Sequence, residues 1–237
     1  MSTQQKSPQP ARGSLWARFC PVLGLAGGLA LAAAQWLVFV YAPTESTMGI
    51  AQKIFYLHLP LAWWGLFSFF VVFLASIAYL FTKKTCFDAL GEAAGSVGLL
   101  LCVLALVTGM FWARRAWGVW WTWDARLTTT LVMCFVYAGY LLVRRLEIAP
   151  AKRSTIASVV GIVAFLDVPL VYFSARQWSY IHPPSIELDS EMKLTLFACI
   201  AAFGLIWLPL TTLRCRTSLL QGRIEKLVTD RIVLKKY

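Results

Sequence analysis

Leu90–Trp112, LGEAAGSVGLLLCVLALVTGMFW, is 23 residues long. At a rise of about 1.5 Å per residue, a helix of that length crosses a hydrocarbon core about 30 Å thick. Five further apolar stretches read the same way, near residues 22–41, 60–81, 127–143, 156–173 and 194–213, the fourth and fifth spans in chain order being short enough to draw on flanking residues. Composition agrees, because 59% hydrophobic residues, 14% charged residues and a mean hydropathy of +0.67 lie far outside the soluble range. The sequence therefore predicts an all-α membrane protein with six transmembrane helices. No internal repeat or soluble domain divides residues 1–237, which read as one six-helix domain behind a polar tail, residues 1–18, expected to be disordered. The first stretch is not expected to be a cleaved signal peptide, since a polar tail precedes it and Tyr41-Ala42-Pro43 is a poor cleavage site.

Orientation follows from the basic residues. Placing both termini in the cytoplasm puts 16 of the 22 Lys and Arg inside, among them Lys83, Lys84, Arg144, Arg145, Lys152 and Arg153. The tail after Leu213 is the basic, membrane-facing kind, so lipid is an expected partner. The net charge of +11 is thus a topogenic signal, and with no nucleic-acid motif in view no nucleic-acid partner is expected. Of the six outer basic residues, Arg114, Arg115 and Arg126 break the trend together. Function is suspected where a trend is broken.

Those three arginines flank Trp117-Gly118-Val119-Trp120-Trp121-Thr122-Trp123-Asp124, which holds four tryptophans in seven residues just beyond the Leu90–Trp112 span. Read as a helix, Trp117, Trp120, Trp121 and Asp124 follow i, i+3, i+4, i+7 spacing and make an amphipathic indole shelf ending in a carboxylate. Indole faces stack on a flat apolar ligand, and guanidinium groups take its carboxylates in bidentate fashion. Haem is such a ligand. The competing reading is an interfacial aromatic belt, which accounts comfortably for one or two of these tryptophans.

The chain has two histidines, both predicted on the face that carries the tryptophans. His58 stands in Leu57-His58-Leu59-Pro60, and placing Pro60 in the first helical turn puts His58 just before the second span at the outer surface. His182 stands in the outer loop 174–193, ahead of Pro183-Pro184, which favour an extended backbone at that point. Two neutral imidazoles on opposite sides of a macrocycle satisfy bis-histidine ligation of haem iron. Two unrelated surface or capping histidines are the bland alternative.

The remaining polar and small residues carry less. Asp167, in Leu166-Asp167-Val168-Pro169 of the fifth stretch, is an expensive ionisable group beside a kink-forming proline. It reads as bonding the opened backbone, or as orienting a ligand histidine. Gly91, Gly95 and Gly98 read as close helix packing. No cysteine falls in an outer loop and there is no CxxCH motif, so neither a disulfide nor covalent haem attachment is expected, and Cys/His clustering for zinc is missing.

The string WGVWWTWDARLT, with HLP before the second span, DVP in the fifth and a single His in the last outer loop, resembles the haem exporter protein C family (cytochrome c maturation protein C) over essentially the whole chain. By that resemblance His58 and His182 match axial ligands of haem iron, and Trp117, Trp120, Trp121, Trp123 and Asp124 match a haem platform. The family's paired tryptophans and TLH before the last histidine are here Gln177-Trp178-Ser179-Tyr180-Ile181-His182. The resemblance implies a bacterial inner-membrane protein that holds non-covalent haem b at the periplasmic face and delivers it to a periplasmic haem chaperone. An ATP-binding cassette pair and a small one-span subunit would complete its maturation complex. No residue reads as a nucleophile, base or nucleotide-binding loop, so any catalysis would lie in positioning. A bis-histidine b-type cytochrome of quinone-linked electron transfer and a haem transporter subunit are the alternatives.

Overall fold

The structure, a computed structural model, describes residues 15–46, 48–177 and 188–235, with residues 15–18, 175–177 and 232–235 described by backbone alone. The helices are α1 Leu15–Trp36, α2 Phe55–Thr82, α3 Thr85–Trp117, α4 Ala125–Val143, α5 Pro150–Ala164, α6 Asp167–Gln177 and α7 Ser190–Lys235. A π-helical turn, Leu37–Tyr41, extends α1, and a 3₁₀ helix, Ile50–Ile54, leads into α2. Six candidate spans result, because α5 and α6 form one interrupted crossing, Pro150–Ser174. The chain is a multi-pass membrane protein. Of the predicted tail, residues 1–14 lie outside the described residues, and Leu15 already begins α1.

The break in the fifth crossing falls at Phe165 and Leu166, directly before Asp167 and Pro169. This is the kink that Pro169 predicts. Asp167 stands in the first turn of α6, where a carboxylate suits the helix dipole, and its Oδ2 is buried with no hydrogen-bond partner. His58 bonds α3 through Nδ1, and His182, the other histidine that Asp167 could orient, lies outside the described residues.

Packing centres on α2 and α3. An added Cβ at Gly98 would sit 2.6 Å from Ser68 Cβ, and one at Gly95 would sit 2.7 Å from the Tyr140 ring, so these glycines let α2 and α4 approach α3. Phe69 stacks on Tyr137 at 3.6 Å between centroids in the buried core they share. Gly98→Val should therefore overpack this contact and cost about 1–3 kcal/mol. A lowered thermal unfolding midpoint in detergent is the check.

One end of the bundle is closed by polar contacts between helices. Asp88 of α3 accepts from Arg144 Nη1 at 2.9 Å and Ser154 Oγ at 2.8 Å, while Arg144 Nη2 reaches the Tyr140 hydroxyl at 2.7 Å. Glu92, which lies inside the third predicted stretch, accepts from Ser218 Oγ at 2.6 Å and Arg214 at 3.3 Å, tying α7 to α3. The opposite end holds the start of α2, the end of α3 and the start of α4, and it carries the tryptophans.

Candidate functional site

The tryptophan stretch is not a helix. Gly118 terminates α3 at φ 76°, a left-handed conformation that favours glycine, and its N–H bonds the Arg114 carbonyl at 3.2 Å. Residues 118–124 then run without helical structure to Asp124, whose extended backbone starts α4 and whose Oδ1 accepts from Leu127 N at 2.9 Å. Glycine after one helix and aspartate before the next are stop and start signals, and they override the 3.6-residue spacing of the indoles. The predicted helical shelf is thus an irregular loop, and Asp124 is first of all an N-cap. Asp124→Ala should cost about 1 kcal/mol of stability, whereas Asp124→Asn should retain the cap. Unfolding midpoints of the two variants compare these outcomes.

Within the loop, Arg114 Nη1 donates to the Gly118 carbonyl and its guanidinium lies 5.9 Å from the centre of the Trp120 ring. Arg114 therefore shapes the loop from inside. Trp120 meets Phe111 edge-on at 5.6 Å, and Trp121 meets Trp123 edge-on at 5.8 Å. Trp117, Trp120 and Trp123 remain 40%, 48% and 77% exposed, leaving a contiguous run of chain with large uncovered indole surface. Arg115 is exposed and Arg126 half-buried in the first turn of α4.

His58 departs from the sequence expectation. It is the fourth residue of α2, and with the 3₁₀ helix Ile50–Ile54 ahead of it the helical run begins well before Pro60, which is an interior residue. Its half-buried ring packs against α3: Nδ1 lies 3.0 Å from the Ala105 carbonyl and 3.2 Å from Thr108 Oγ1, and Trp112 closes edge-on at 5.8 Å. His58 is therefore held between two helices, five residues or about 8 Å of helix rise below Trp117 at its Trp112 contact. Ala105, Thr108, Gly109 and Trp112 went unnoticed in the sequence, where they are ordinary members of an apolar helix. His182 lies outside the described residues.

Four buried polar atoms between the end of α3 and the start of α4 have no hydrogen-bond partner: Trp112 Nε1, Trp121 Nε1, Thr122 Oγ1 and Thr128 Oγ1. All can donate, and an acceptor at this end of the bundle, from water or from a ligand, would satisfy them. Uncovered indoles, orphaned donors, exposed cationic side chains and an anchored imidazole at one bundle end fit a flat apolar ligand with carboxylates and a metal centre.

Comparison with known proteins gives the same direction. A family model described as heme exporter protein C matches residues 4–230. The chain is 30% identical over 221 residues to the heme exporter protein C of Bradyrhizobium diazoefficiens, covering 90% of this chain and 84% of that protein. It is 27% identical over 222 residues to the heme exporter protein C of Escherichia coli K12, covering 92% and 91% of the two chains. A ccmC-like mitochondrial protein of Marchantia polymorpha, named for cytochrome c biosynthesis, is 30% identical over 178 residues, 73% of this chain and 75% of its own. With a full-length family match laid over six spans and the tryptophan loop, this chain belongs to the heme exporter protein C family.

Proposed function

We propose that the protein holds haem b at the bundle end formed by His58 and the tryptophan loop, and hands it to a periplasmic haem chaperone in cytochrome c biogenesis. The observation that carries this reading is the anchored His58 imidazole lying on the same bundle end as the uncovered indoles and the orphaned donors. Trp117, Trp120, Trp121 and Trp123 supply stacking area and keep water from one face. Arg115 and Arg126 offer guanidinium groups to the propionates, with Arg114 shared between that task and the loop. Asp124 sets the loop's far end through its cap. His58 and His182 would hold the iron through their ring nitrogens. When bound, haem brings its own redox and vinyl chemistry; the chain contributes placement and orientation.

Its ATP-binding cassette and one-span partners, and its place in the bacterial inner membrane, come with the family reading. The tryptophan end faces the periplasm by the distribution of basic residues, with both termini cytoplasmic. Reporter fusions at Lys84 and Lys152 should report cytoplasm, and fusions at Glu45 and Glu187 periplasm. A reversed pattern would separate the histidines and tryptophans from a shared periplasmic site.

One observation favours a second reading. His58 stands between helices, where a b-type cytochrome in quinone-linked electron transfer also places its ligands. The purified protein, with and without the chaperone, separates the two: haem leaving the protein for a covalent chaperone adduct supports delivery. Haem that stays bound and is reduced by quinol at a catalytic rate supports the cytochrome.

A further inference from the structure

We propose that Thr108 and Gly109 of α3 are positioning residues for His58, which together with the Ala105 carbonyl hold its imidazole as the Nδ1–H tautomer and leave Nε2 as the nitrogen that ligates iron. This rests on the haem reading above. The assignment of the proton comes from its partners. The Ala105 carbonyl, 3.0 Å from Nδ1, can only accept. Thr108 has a single hydroxyl hydrogen, and Oγ1 lies 2.9 Å from the Leu104 carbonyl and 3.0 Å from the Ala105 carbonyl, so that hydrogen is directed into its own helix. Its oxygen therefore offers a lone pair to Nδ1 at 3.2 Å. With the Ala105 carbonyl and the Thr108 lone pair both accepting, Nδ1 carries the hydrogen, and in a neutral ring Nε2 is then unprotonated.

Gly109 supplies the space. A Cβ at that position would lie 3.1 Å from His58 Cε1 and 3.5 Å from Nδ1, so even a methyl group is tight against the ring and shifts it by a few tenths of an ångström relative to the Ala105 carbonyl. Trp112 bounds the ring edge-on one turn further along α3. The ring is thus fixed by an acceptor, a lone pair, a gap and an indole. A histidine that ligates a metal needs this kind of support, since a hydrogen bond from its other nitrogen sets tautomer and orientation.

The test uses the full-length protein in detergent with nitrogen-15 histidine. The chain has two histidines, so His182→Ala leaves one ring signal and assigns His58. Without haem, His58 should show the Nδ1–H tautomer, and Thr108→Val and Gly109→Ala should each raise the Nε2–H population. Alanine is the better helix former at position 109, so a folding defect is not expected there. With haem bound, transfer to apo-myoglobin should speed up about tenfold or more in both variants. Thr108→Ser, which keeps the hydroxyl, should match the unsubstituted protein in both readouts. An Nε2–H tautomer in the unsubstituted protein, or unchanged tautomer and transfer rate in both Thr108→Val and Gly109→Ala, overturns the proposal. His58→Ala tests the underlying reading separately: haem transfer at the unsubstituted rate in that variant refutes ligation by His58, whatever the tautomer result.

Discussion

Combined Trp120→Ala and Trp121→Ala should lower haem occupancy at every salt concentration while leaving the ligation spectrum of the residual haem nearly normal. Both rings sit in the irregular loop rather than in the helical core, Trp120 about half exposed against Phe111 and Trp121 edge-on to Trp123. Their loss therefore removes ligand contact more than it removes packing. Stacking area of this size contributes about 1–3 kcal/mol per indole, and every 1.4 kcal/mol is about tenfold in affinity, so the double variant should lose at least about thirtyfold. Replacing Arg115 and Arg126 by Gln should act differently, weakening retention in a salt-dependent way and lowering chaperone adduct more than occupancy, because charge on the propionates sets ring orientation. Arg114→Gln should combine that effect with a displaced loop, as it also removes the bond to the Gly118 carbonyl. Haem per protein and covalent chaperone adduct, measured in the same membranes, separate the classes. Full loading with normal adduct in the double tryptophan variant would return the stretch to an interfacial belt.

His58→Ala should have the second large effect. On the proposed haem reading it removes one iron ligand, and it leaves a half-buried space between α2 and α3, lined by Ala105, Thr108, Gly109 and Trp112. Because Thr108 Oγ1 also bonds the carbonyls of its own helix, loss of the imidazole strands no hydroxyl hydrogen, and the fold should survive. Haem retention should fall at least about tenfold, the scale on which single ligand-support losses act. Exogenous imidazole fits the vacated space and should restore part of the retention. A variant that does not assemble at all would instead mark His58 as a structural contact, and its yield and unfolding midpoint decide that point.

Much of the fold is legible in the sequence because crossing a bilayer demands a long apolar run, and Leu90–Trp112 is such a run with or without its neighbours. Gly91, Gly95 and Gly98, spaced along one helix, announce close packing before any neighbour is known. Misreadings arise where two local signals compete. Trp117, Trp120, Trp121 and Asp124 have helical spacing, but Gly118 and Asp124 are also helix stop and start residues, and backbone capping prevails. Pro60 suits a first turn, yet the 3₁₀ helix ahead of α2 carries the helical run upstream of it, which moves His58 from a loop to a helix interface. The contacts of His58 were not legible at all: nothing local distinguishes Thr108 or Gly109 from other small residues of an apolar helix until α2 is laid against α3. Likewise Arg144 reads as a topogenic charge, whereas across the bundle it forms a largely buried ion pair with Asp88 at 2.9 Å.

The account turns on His58 being an iron ligand beneath the tryptophan loop, and low-temperature electron paramagnetic resonance of the ferric purified protein tests that most directly. The unsubstituted protein should give a low-spin signal of two imidazole ligands, and His58→Ala a high-spin or mixed-ligand signal that added imidazole returns to low spin. An unchanged low-spin signal in His58→Ala, with full haem loading, would contradict it.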